Sequence, residues 1–154
     1  MSSVDLGSPS RPVQPAPRGT QIILGVLVAV IASVLVNAVV AWVVTLVDPE
    51  GVPTGLTFSE YAPLTAVGVL AGAAGWATIR RFASRPRSVL RVLAPVVVGV
   101  SFVPDFVVLT AGASLINVAG LLIMHIAVAV IAILVLERVL PLSGRRAGLV
   151  RRAV

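Results

Sequence analysis

The stretch IILGVLVAVIASVLVNAVVAWVVTLV, residues 22–47, carries no charged side chain along its whole length. Wound as an α-helix it reaches roughly 39 Å, more than the hydrocarbon thickness of a bilayer. A secretory leader has an apolar core of only about 7–15 residues. The stretch therefore reads as an uncleaved span over about residues 21–47, tilted or projecting. Residues 1–19 before it are rich in Ser, Pro and Gly with almost nothing to bury, and read as a disordered cytoplasmic tail. After it, Asp48-Pro49-Glu50-Gly51-Val52-Pro53 breaks the helix.

Three further apolar stretches follow. The second span is expected over about 61–79. Thr57 and Glu60 have capping-box spacing, which argues for an early start, whereas Pro63 argues for a later one. The third is expected over about 88–109. Pro95 should kink it, and a break near Phe102-Val103-Pro104-Asp105 competes with a continuous helix. The fourth is expected over about 115–140, with Ser114 as N-cap and Pro141 and Gly144 as stops. Residues 142–154 form a basic tail. The fold class is an all-α integral membrane four-helix bundle whose third helix is kinked or broken by prolines.

Composition agrees. The chain is 58% hydrophobic and only 12% charged, with a mean hydropathy of +1.06. A soluble domain of this length cannot hide that much apolar surface. All twelve cationic side chains are arginines. They fall at residues 11 and 18, in the central stretch Arg80, Arg81, Arg85, Arg87 and Arg91, and at 138, 145, 146, 151 and 152. The connections at 48–60 and 110–114 carry none. Positive residues stay on the cytoplasmic side during insertion, so both termini are expected in the cytoplasm. The net charge of +6 is spent flanking the spans, not building one basic face. Anionic lipid headgroups are the expected partner of the central arginines, and nucleic acid is not. With no cysteine and one histidine, thiolate chemistry and histidine-rich metal sites fall away. No cofactor or metal is expected. No phosphate loop, nucleophile elbow, zinc-protease or dinucleotide motif is present, and no catalytic residue is assigned.

Small residues mark helix contacts. Gly25, Ala29, Ser33, Asn37 and Ala41 recur every fourth residue on the first span, and Gly68, Gly72 and Gly75 lie on the second. In lipid such stripes let backbones approach closely, and the two helices are expected to form a tight pair. The same motif also serves homo-oligomers or a membrane protein partner. Trp42, Trp76 and Tyr61, towards span ends, read as interface anchors. Glu137 is expected to pair with Arg91 or Arg80.

Four polar positions lie at membrane depth. Counted at the helical rise from the nearest arginine boundary, Thr65, Asp105 and His125 stand about 20–22 Å in, and Asn37 about 28 Å. A buried aspartate must find a partner or give up its charge, and His125 is the one ionisable group on another span at similar depth. Asp105 either meets His125 in the bundle interior or caps a short helix at the outer interface. Asn37 and His125 also serve as hydrogen-bonding glue between helices.

Ser101-Phe102-Val103-Pro104-Asp105-Phe106, Met124-His125-Ile126-Ala127-Val128-Ala129 and Arg80-Arg81-Phe82-Ala83-Ser84-Arg85-Pro86 together resemble a family of small actinobacterial membrane proteins with four spans and no assigned function. The resemblance covers about residues 20–140. It implies a four-helix membrane fold with emphasis on Pro104, Asp105 and His125, and no activity. The expected role is therefore a non-enzymatic membrane protein that packs with itself or a partner. A carrier or channel subunit using Asp105 and His125 is the alternative. One carboxylate and one imidazole are thin equipment for an enzyme.

Overall fold

A computed structural model describes residues 19–142, which are helical throughout their spans and contain no strand. Helix α1 runs Gly19–Val47, α2 Phe58–Phe82, α3 Pro86–Ser101, α4 Val103–Thr110 and α5 Leu115–Val139. α3 and α4 are two parts of one span, so five helices make four segments long and apolar enough to cross a membrane. The chain is an all-α integral membrane four-helix bundle. The two tails and the six arginines in them lie outside the described residues.

Local chemistry explains where the helices begin. The Glu60 carboxylate accepts a 3.0 Å hydrogen bond from the Thr57 backbone N–H, the return half of a capping box. This fixes the α2 start at Phe58 and leaves Pro63 inside the helix, so the cap prevails over the proline. α3 starts on Pro86 and passes through Pro95, but it stops at Ser101. Pro104 has no N–H to give, and its ring crowds the carbonyl four residues back, so the span breaks at Phe102 and restarts as α4. Ser114 caps α5 by accepting from the Asn117 N–H at 3.1 Å. Its own hydroxyl donates to the Asp48 carboxylate, tying the start of α5 to the end of α1.

Two apolar clusters show that neighbouring spans run antiparallel. At one end Trp76, Leu136, Leu140 and Leu142 pack with Ile22, Val26 and Leu90. This is the arginine end. At the other, Ala41, Val44, Leu56, Tyr61, Leu121 and Met124 pack with Val108. α1 makes its broadest contact with α5, not with α2 as the glycine motif suggested. The contact is close because it is lined with small residues. A Cβ on Gly25 would stand 2.5 Å from Val139 Cγ1, and one on Gly120 2.5 Å from Val44 Cγ2. Ala29, Ser33, Asn37 and Ala41 are all buried along the same row of α1.

The remaining packing expectations need correction. Nothing lies within 4 Å of where a Cβ would stand on Gly68, Gly72 or Gly75. These glycines face outward and join no helix of this chain. Trp76 and Tyr61 are buried, and the Trp76 indole donates to the Leu140 carbonyl at 3.0 Å, so only Trp42 remains exposed as an anchor. Glu137 forms no ion pair with Arg91 or Arg80, because the sole such contact among the described residues joins Asp105 and His125. α3 buries no residue at all.

Candidate functional site

The break at Phe102 positions the site. It gives α4 its own first turn, and Asp105 lies there, 5% exposed instead of capping into solvent. His125 lies mid-way along α5, next to Met124 of the apolar cluster that also takes in Val108 of α4. Asp105 Oδ2 and His125 Nδ1 are 3.1 Å apart. The Phe102 ring meets the imidazole edge-on, with centroids 6.0 Å apart, so the residue at the break also forms a wall of the site.

The imidazole has a second oxygen nearby. Nδ1 lies 2.9 Å from the Leu121 carbonyl one turn back. A carbonyl only accepts, so Nδ1 carries the hydrogen and aims it at Leu121. Asp105 Oδ2 is close but off that line, and it has no hydrogen-bond partner among the described residues. A buried carboxylate oxygen in this condition is costly, since its lost hydration is not replaced. Asp105 is the more enclosed partner, its side chain 7% exposed against 36% for His125.

The other two polar residues at this depth also meet. The Asn37 amide donates to the Thr65 hydroxyl at 2.8 Å, joining α1 to α2. Tyr61 lies one turn before Thr65 in the cluster that contains Met124. The polar groups of all four spans thus fall in one layer as two pairs, Asn37–Thr65 and Asp105–His125. Asn37 Oδ1 and Ser33 Oγ are buried in α1 without a hydrogen-bond partner among the described residues.

Asn117 escaped the sequence reading. It is 2% exposed, and its amide nitrogen donates to the Thr54 carbonyl at 3.0 Å, fastening the α1–α2 connection onto α5. Its position three residues after the Ser114 cap was the available signal. Gly55 supports the same junction with φ +78, a conformation that favours glycine. Of the predicted headgroup arginines, Arg81, Arg85, Arg87 and Arg91 are exposed and Arg80 half-buried, all at one end of the bundle. No three His, Cys, Asp or Glu side chains converge on a metal-sized space among the described residues.

Residues 13–141 match a family described as a family of unknown function, DUF6069. No curated protein and no solved structure matches the chain.

Proposed function

We propose, starting from a chain that belongs to the DUF6069 family of unknown function, that Asp105 and His125 form a proton- or cation-holding site inside the membrane. The protein then acts as a small carrier or channel subunit in the bacterial plasma membrane. The arginine end faces the cytoplasm and its anionic headgroups. The observation that carries this reading is the 3.1 Å contact between Asp105 Oδ2 and His125 Nδ1, from two different spans, with the carboxylate oxygen lacking a hydrogen bond.

The charge argument is simple. An isolated charge at membrane depth costs about 2.5–3.5 kcal/mol even on insertion scales. When the aspartate is ionised and the imidazole neutral, one net negative charge is left there. A single proton, or one small monovalent cation beside Oδ2, restores neutrality. The Leu121 carbonyl gives the imidazole hydrogen a second resting place, so the pair can release and regain its partner without leaving Nδ1 empty.

Reconstituted liposomes test this. Wild-type protein should pass protons, Na⁺ or K⁺ down a gradient faster than empty liposomes do. Asp105→Asn and His125→Ala should lose the flux while keeping helical content and a single particle size. A wild type no leakier than protein-free liposomes under all three gradients contradicts the reading.

A second reading is association through α2, favoured by the open space over Gly68, Gly72 and Gly75. A packed helix there would find the close backbone approach that small residues permit. Gly72→Leu should then shrink the detergent-solubilised particle, and an unchanged size rejects this face.

A further inference from the structure

Away from the polar layer, at the arginine end, α3 touches α2 and α5 only sparsely. The space between them is a crevice of about 370 Å³, continuous along Arg87, Glu137 and Leu142 with a second one of about 240 Å³. Arg87 and Arg91 occupy successive turns of α3 on one wall, and Glu137 of α5 belongs to the opposite wall. The charges are opposite, yet no ion pair closes the gap, because the sole ion pair among the described residues lies elsewhere. Further in, the lining turns apolar with Leu90, Ala94 and Ile133.

We infer that this crevice binds one phospholipid whose headgroup carries both a phosphate and an ammonium group, of the phosphatidylethanolamine class. The guanidinium groups of Arg87 and Arg91 hold the phosphodiester, for which arginine geometry is suited. The Glu137 carboxylate accepts from the ammonium group. The acyl chains run along Leu90, Ala94 and Ile133. A purely anionic lipid would satisfy the arginines but set its charge against Glu137. A lipid with a choline head would offer Glu137 no N–H to accept. The crevice sits where a headgroup must sit, at the end of apolar spans beside the arginine-rich connection. Occupancy also accounts for a helix that buries none of its own residues, since lipid then completes the packing of α3.

The test is lipid add-back to the delipidated full-length protein, read by native mass spectrometry, with equimolar phosphatidylethanolamine and phosphatidylglycerol. Wild type should retain one phosphatidylethanolamine in preference. Arg91→Gln, which leaves four arginines in the connection to direct insertion, should weaken phospholipid retention roughly tenfold. Glu137→Gln should keep phospholipid but lose the preference for the ethanolamine head, with phosphatidylglycerol gaining. A wild type that prefers phosphatidylglycerol, or a Glu137→Gln variant with unaltered preference, overturns the inference. So does competition by soluble glycerophosphoethanolamine at the lipid's own concentration, which would make the ligand a free phosphate ester. Ion flux through the Asp105–His125 layer uses none of these side chains, so each claim can fail without the other.

Discussion

Asp105 Oδ2 lies 3.1 Å from His125 Nδ1, and that nitrogen also lies 2.9 Å from the Leu121 carbonyl. One imidazole hydrogen is therefore within reach of two oxygens, and the carbonyl holds it. The carboxylate is left buried without a hydrogen bond. Two spans meet at this one carboxylate and imidazole.

The two partners should respond unequally to substitution. His125→Ala leaves the buried carboxylate with no cationic or N–H neighbour. It should cost about 3 kcal/mol, as removing one partner of a buried pair does. Asp105→Asn keeps the shape and removes the charge, and should not lower stability. Thermal unfolding in detergent gives the order, and a less stable Asp105→Asn than His125→Ala contradicts it.

The Asn37–Thr65 bond offers a milder test. Thr65→Val keeps the volume but removes the hydroxyl that accepts from Asn37, leaving the amide unpaired. A loss of about 1 kcal/mol is expected, with Thr65→Ser recovering most of it. Equal stability of the valine and serine variants would show that the hydroxyl contributes nothing.

Glycine substitutions should divide by helix. Gly25→Leu and Gly120→Leu place atoms where Val139 and Val44 already stand, and should each cost about 1–3 kcal/mol. Gly68→Leu meets nothing within this chain and should leave the unfolding temperature of the isolated protomer unchanged. A destabilised Gly68→Leu protomer would mean that α2 is rotated relative to this packing.

The number of spans could be read directly from the sequence because length and hydropathy decide it. Helical rise also put Thr65, Asp105 and His125 at similar distances from the arginine boundary, with Asn37 farther along, but it did not show which of them would pair. The break at Phe102 stood as one of two outcomes until the crowding by Pro104 decided it. Helix rotation was hidden. In lipid an apolar face can point inward or outward at little cost, so Gly68, Gly72 and Gly75 looked like internal packing and proved to face out. Trp76 resembled an anchor for the same reason, whereas its burial in the apolar cluster and its bond to the Leu140 carbonyl reveal an inward side chain. Glu137 was expected to find an arginine because opposite charges shared one end, but the crevice that keeps it from Arg91 was not encoded in any local pattern.

Threading supplies an independent check. Reporter tags after Thr54 and after Pro86 should land in opposite compartments, with the second in the cytoplasm beside the arginines. Tags found together would remove the antiparallel order on which the polar layer depends.

His125 is the only histidine in the chain, so ¹⁵N-histidine labelling reports on this one ring without assignment. The account predicts that Nδ1 carries a hydrogen in the folded protein and that its resonance moves on Asp105→Asn. A ring protonated on Nε2 alone, or a spectrum indifferent to Asp105→Asn, would contradict the pairing at the centre of the proposed function.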